Sequence, residues 1–172
     1  MNNIEIKFTV HSLNRIEQLL MEQPDCRFLQ TLHQADTYFQ APEGRLKLRT
    51  QKPGEGELIF YQRENLNRPR ESNYLICITE NPRQLAAILT SALGTTATVI
   101  KERRLWMFRN VRIHLDRVEG LGEFIEFEAV IDEQHDRHTS AQNLDEILHK
   151  FSDFSLTPVA ESYIDLRIRK EP

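Results

Sequence analysis

Six short segments in which charged and apolar residues alternate one for one constrain this chain more than any other feature of its sequence. In NIEIKF (residues 3–8), Glu5 and Lys7 alternate with Ile4, Ile6 and Phe8. GRLKLRT (44–50) sets Arg45, Lys47 and Arg49 against Leu46 and Leu48, and ELIFYQR (57–63) sets Glu57, Tyr61 and Arg63 against Leu58 and Phe60. VIKERRLWMF (99–108) places Lys101 and Arg103 opposite Ile100, Trp106 and Phe108. VRIHLD (111–116) places Arg112, His114 and Asp116 opposite Val111, Ile113 and Leu115, and EFIEFEAVI (123–131) places Glu126 and Glu128 opposite Ile125, Phe127 and Ile131. Successive side chains of a strand point to opposite faces, so each segment predicts a strand with one apolar and one charged face.

Helical periodicity is confined to three stretches. The first runs from Ser12 as N-cap through Ile16, Leu19 and Leu20 to the break at Pro24. The second opens on Asn81-Pro82, carries Leu85, Ile88, Leu89 and Ala92, and stops at Gly94. The third begins near Ser140, with Leu144, Ile147, Leu148 and Phe151 as its stripe. The VEGLG stretch (118–122) reads as a hairpin connection, because Gly120 and Gly122 permit positive φ. Many strands with hairpin spacing and few helices predict an α+β fold: an antiparallel sheet or β-barrel with helices packed outside. At 172 residues, 40% of them hydrophobic, and without linker or internal repeat, one domain over 1–172 is expected.

A net charge of −4 gives no reason to expect nucleic acid or an anionic membrane as partner. No apolar run is long enough to span a bilayer and the N-terminus lacks a signal-peptide pattern, so the expected location is cytoplasmic. Cys26 and Cys77 stand apart, without the spacing of a zinc site or a disulfide framework. Two histidines in HDRH (135–138) lack further ligands nearby and are read as loop residues, and Trp106 and Phe108 as core. Arg167, Arg169 and Lys170 read as a solvated basic terminus, from which one side chain could close on a bound phosphate.

The charged faces are sorted by sign. Cations gather at 45–49 and 101–103, carboxylates at 126–128. If the strands close into a barrel with apolar residues outward, the charged faces line a tunnel. Burying Lys7, Lys47, Arg49, Arg63, Lys101 and Arg103 there calls for anions inside. A polyphosphate with a divalent metal meets that need: Arg and Lys hold phosphate oxygens, and paired carboxylates hold Mg²⁺ or Mn²⁺. The alternative is a helix-covered sheet whose charged face is merely wet, which predicts that triphosphate and Mg²⁺ leave the melting temperature unmoved.

These residues carry a resemblance. The chain is similar to the CYTH family, the triphosphate tunnel metalloenzymes that include class IV adenylyl cyclases and thiamine triphosphatases. The likeness rests on NIEIK, DTYF (36–39), GRLKLR (44–49), KERR (101–104), HLDRVEGLGEFIEFE (114–128) and SYIDL (162–166), in order and spacing along almost the whole chain. It implies that Glu5 is the second acid and Lys7 the lysine of the family's N-terminal Glu-x-Glu-x-Lys signature. It implies phosphate-gripping roles for Lys47, Arg49, Lys101 and Arg103, with Arg63 as a further phosphate contact. It also implies a metal-side role for Asp116 and metal ligation by Glu126 and Glu128. The departure is Asn3, a neutral amide where the signature has its first glutamate. An amide oxygen can ligate Mg²⁺ but supplies no charge, so metal binding is expected to be weakened rather than abolished.

The resemblance implies phosphoryl or nucleotidyl transfer by positioning and charge neutralisation, without a covalent protein intermediate. Water would attack the terminal phosphorus in a hydrolase; in a cyclase the substrate's 3′-hydroxyl would attack the α-phosphorus. The substrate is a small molecule bearing a triphosphate: inorganic triphosphate, or a nucleoside or thiamine triphosphate. His114 is either a general base or a structural histidine. The other class of function is a binding module that has kept the tunnel and lost turnover, motivated by Asn3. Homodimers occur in the cyclase branch, although no sequence feature marks an interface. No P-loop, Rossmann fingerprint or nucleophile elbow is present.

Overall fold

In the computed structural model, which describes residues 2–170, the alternating segments pair into one closed wall. The expected domain, 1–172, reaches past the described residues at 1, 171 and 172. The elements run β1 (Asn2–Thr9), α1 (Leu13–Glu22), β2 (Cys26–Phe39), β3 (Arg45–Lys52), β4 (Glu55–Gln62), β5 (Arg70–Thr79), α2 (Pro82–Leu93), β6 (Thr95–Phe108), β7 (Val111–Val118), β8 (Gly122–Ile131), α3 (Arg137–His149), β9 (Thr157–Pro158) and α4 (Tyr163–Lys170). The strand order is β5-β4-β3-β2-β6-β7-β8-β1, and β1 closes it by also pairing with β5, from Asn2 opposite Asn73 to Glu5 opposite Arg70. Every pairing is antiparallel, which gives an eight-stranded barrel; β9 adds a short edge to β1. Gly120 and Gly122, at φ 71° and 111°, make the β7–β8 turn in the region that side chains disfavour.

The core lies outside the barrel, between its outer face and two helices. Ile4, Ile6 and Phe8 of β1 point outward with Ile113, Leu115, Ile125 and Phe127, and meet Leu13, Ile16 and Leu20 of α1 and Leu144 and Ile147 of α3. Each such burial contributes about 1.5–3 kcal/mol. Trp106 and Phe108 are buried in this core, and the Trp106 indole donates to Glu17 Oε1 at 3.2 Å. The helix α2 differs: Leu85, Ala86 and Leu89 are half-buried, while Ile88 is exposed.

Two expectations need correction. The third helix starts at Arg137 rather than near Ser140, because Asp136 is its N-cap and accepts from the Thr139 amide at 2.8 Å. The basic terminus is the helix α4. Its first turn packs Tyr163 and Ile164 into a second cluster with Tyr38, Val99, Val118 and Phe124, while its end, Ile168, Arg169 and Lys170, is exposed to solvent.

Candidate functional site

With the apolar faces committed outward, strand alternation sends the polar faces into the bore. The result is a cavity of about 610 Å³. Lys7, Lys47, Arg49, Arg63, Lys101, Arg103, His114, Glu5, Glu126 and Glu128 all line it. Asp116 does not reach the cavity surface; it is wholly buried behind Arg103.

One wall is organised by Asp36, which shares the inward face of β2 with Gln34 and Tyr38. Its carboxylate takes three cations at once: Arg49 through Nε (2.7 Å) and Nη2 (2.9 Å), Lys47 at 3.0 Å and Lys101 at 2.7 Å. The register explains the convergence, since Asp36 lies opposite Arg49 on β3 and opposite Val99 on β6, one inward step from Lys101. Burial opposes ionisation of Asp36, yet Arg49, Lys101 and Lys47 hold it well below the usual carboxylate range. One anion cannot neutralise three cations. Burial and the neighbouring Arg49 bring Lys47 down to about 7, against the pull of Asp36, and burial foremost brings Lys101 to about 8.

Beside this wall Arg103 makes a forked pair with Asp116, at 2.7 and 2.6 Å, and its Nη2 lies 3.3 Å from Glu126. The Tyr163 hydroxyl of α4 donates to the same Asp116 at 2.7 Å. Lys7 sits 3.9 Å above the Tyr163 ring and 3.7 Å from Glu126, and burial lowers its pKa. The first turn of α4 therefore lies across this end of the bore. Arg45 fastens it there with a 2.6 Å bond to Asp165.

The acidic wall is β1 and β8, whose register sets Glu5 against Glu128 and Lys7 against Glu126. Burial and the nearby Glu126 push Glu5 up to about 7, against Arg63 and Lys7. Arg63 and Arg70 lie 3.0 and 3.3 Å from Glu5. Burial disfavours charge on Glu126 as well, but Lys7, His114 and Arg103 hold it well below the usual range. The His114 ring lies 3.5 Å from Glu126 and 3.6 Å from Glu128; burial and Arg103 lower its pKa, which favours the neutral imidazole. Asn3 Nδ2 donates to Glu128, and Asn3 Oδ1 is buried with no hydrogen-bond partner.

Asn3 Oδ1 and the carboxylates of Glu5, Glu126 and Glu128 are oxygen donors on two neighbouring strands, the kind that Mg²⁺ and Mn²⁺ take. Asn3 Oδ1 is a buried acceptor in want of a partner, so the set fits such an ion in its chemistry. Among the described residues no three His, Cys, Asp or Glu side chains already form a metal-binding group. Each carboxylate instead has a cation or amide beside it, Glu5 with Arg63 and Arg70, Glu126 with Lys7 and Arg103, Glu128 with Asn3 and Arg112.

Sequence reasoning missed Asp36, Arg70 and Tyr163 as parts of this site. Asp36 could have been found by extending the alternation test to QADTYF, where Gln34, Asp36 and Tyr38 share a face. Arg70 and Tyr163 carry no local signal, because barrel closure and the docking of α4 bring them in.

The family model of the CYTH domain matches residues 1–163. No curated protein sequence matches the chain. Among solved structures, the PH1012 protein of Pyrococcus horikoshii superposes with a TM-score of 0.80 at 22% identity, over 95% of this chain and 98% of that one. A candidate adenylate cyclase from Vibrio parahaemolyticus gives 0.71 at 16% identity, over 96% and 97%. HpAC1 from Hippeastrum, a candidate adenylyl cyclase described as having a dominant triphosphatase activity, gives 0.66 at 16% identity, over 97% and 95%. At these identities the likeness is one of fold, the triphosphate-tunnel barrel.

Proposed function

This chain belongs to the CYTH domain family, and from that premise we propose that it is a metal-dependent enzyme that hydrolyses a triphosphate held inside the barrel. The observation that carries the reading is the convergence of Lys47, Arg49 and Lys101 on the single carboxylate of Asp36. Three cations sharing one anion in a buried wall are short of negative charge, and a phosphate chain supplies it. Lys7, Arg103 and Arg63, turned to carboxylates in the free protein, would turn to the remaining phosphate oxygens. That would release Glu5, Glu126 and Glu128 to hold Mg²⁺ or Mn²⁺ together with Asn3 Oδ1. The bound ion would neutralise phosphate charge.

The protein's own groups would do the rest. Arg49, Lys101 and Arg103 would stabilise charge developing on the transferred phosphoryl group. His114, neutral and beside Glu126, would accept a proton from the attacking water. Hydrolysis is favoured over cyclisation because the bore end away from α4 is open to water: Leu29 and Ile76 there are each 42% exposed. Cyclisation would need water kept out. A small triphosphate-bearing molecule is thus the partner, in a protein where no described helix is long and apolar enough to cross a membrane. A cytoplasmic setting, where such substrates occur, agrees with this.

Asn3 favours a second reading, a tunnel that binds triphosphate without turning it over, since the amide gives the site one negative charge fewer. Product analysis with inorganic triphosphate, ATP and thiamine triphosphate, with Mg²⁺ or Mn²⁺, separates the two. Metal-dependent phosphate release that disappears in Glu126→Gln is the result expected of a hydrolase. Cyclic AMP and pyrophosphate would identify a cyclase instead. Absence of all products, with the melting temperature still raised by triphosphate, would leave the binding tunnel.

A further inference from the structure

One strand of the barrel is longer than the neighbour that closes it. On one side β5 pairs with β4 from Asn73 to Thr79 without a register shift, but on the other β1 reaches it only from Arg70 to Asn73. Among the described residues, no strand runs along that second side of residues 75–79. The overhang is apolar: Leu75 is 71% exposed, Ile76 42% and Ile78 77%, and Cys77 is exposed between them.

From Ser72 to Thr79 the strand carries no charge, no proline and no bulge, the devices that normally blunt an uncovered edge. The strand β2 shows the contrast. Its residues 26–34 also overhang their neighbour β3, but that stretch holds Arg27 and His33 and is broken by a register shift between Phe28 and Gln30. An unbroken apolar edge is a template for another strand, and the question is whose.

We infer that residues 75–79 of β5 dock against the same residues of a second copy of this chain, as antiparallel strands related by a twofold axis through Cys77. An antiparallel edge is complementary to itself, so a twofold contact satisfies both rows of backbone groups with one set of residues. Full overlap of 75–79 with its copy fixes the register: Cys77 stands opposite Cys77, Ile76 opposite Ile78 and Leu75 opposite Thr79. Apolar side chains then meet one another on both faces, and no like charges are brought together. Ile76 also lines the cavity, so the second copy continues the bore wall at its open mouth. A contact this short falls below the roughly 1,200 Å² that stable interfaces bury, so the dimer should be reversible, with a dissociation constant on the order of tens of micromolar.

The test does not depend on what the bore holds. Sedimentation equilibrium of the full chain, from about one to several hundred micromolar, is run on the native protein and on Leu75→Lys and Ile78→Lys, both at exposed positions. Ile88→Lys, at an exposed apolar residue of α2, is the control for general stickiness. A short bismaleimide is added to the native protein and the linked peptides are identified by mass spectrometry. The native chain and Ile88→Lys should pass from monomer to dimer as concentration rises, the two β5 variants should stay monomeric, and the linked peptides should join Cys77 to Cys77. A native protein that remains monomeric throughout would overturn the inference. So would a dimer that persists in both β5 variants, one abolished equally by Ile88→Lys, or one without the Cys77 linkage. Melting curves establish that the variants are folded, and should one not be, the other variant and the linkage decide.

Discussion

The Asp36 carboxylate accepts a hydrogen bond from the Lys101 ammonium at 2.7 Å, with both side chains almost wholly sealed from solvent. Removing the anion leaves Lys47, Arg49 and Lys101 facing one another. Asp36→Asn should destabilise the free protein by about 3–5 kcal/mol, a fall in melting temperature on the order of 10 °C. Inorganic triphosphate should then raise the melting temperature of Asp36→Asn by more than it raises the native value. An equal or smaller rise in the variant would show that Asp36 does not stand where phosphate binds.

A pH dependence of opposite sign in the free and bound states follows from Lys47, at about 7, and Lys101, at about 8. Both values are depressed in the folded chain, so above about pH 7 and up to the ordinary lysine range the unfolded chain holds more protons. Through these two groups the stability of the free protein rises as pH rises across that window. A bound polyanion favours the ammonium forms instead. Affinity for inorganic triphosphate should therefore fall from pH 7 to 9, and binding at pH 8 should take up protons. Calorimetry in two buffers of different ionisation enthalpy measures that uptake, and zero uptake would contradict these assignments.

At Asn3, the amide holds Glu128 through Nδ2 and leaves Oδ1 without a partner. Asn3→Glu adds a carboxylate where the amide oxygen stood, and should tighten Mn²⁺ binding by at least about tenfold, read by electron paramagnetic resonance titration. Turnover that rises from nothing in this variant would favour a binding tunnel as the natural state. A mild change in an already active protein would make the amide a tolerated ligand. Unchanged Mn²⁺ affinity would remove Asn3 from the metal side of the cavity.

Tyr163 links α4 to the barrel by its hydroxyl on Asp116 and its ring beneath Lys7. Tyr163→Phe keeps the ring and deletes the buried hydrogen bond, a loss of about 1–2 kcal/mol that a urea midpoint would show. Tyr163→Ala also deletes the ring and should cost distinctly more. Equal losses in the two variants would mean that the ring does not support Lys7.

The barrel was readable because the same period-two signal did two jobs. In NIEIKF, VRIHLD and EFIEFEAVI the apolar positions marked strands, and the charged positions between them named the lining: Glu5, Lys7, His114, Glu126 and Glu128 all face the cavity. The signal failed where a strand lacked a strongly charged face. The strand β5 reaches the bore through Ser72, Tyr74 and Ile76, and β2 reaches it through Leu29, Leu32, Gln34 and Tyr38 besides its one acid, Asp36.

What the sequence determined by itself is which side of the six charged segments faces inward, because alternation is a local property of the extended chain. Pairing was decided only by the tertiary structure. Asp36 meets Lys101 across 65 positions of sequence, Glu5 meets Arg70 because β1 closes the barrel on β5, and Asp116 is withdrawn behind Arg103 by a helix that the basic C-terminal segment did not announce. Strand register and closure set those distances. They follow from closure of β1 on β5, from α1 and α3 packed on the outer face and from α4 across one end of the bore, a sum of contacts that no short stretch of residues contains.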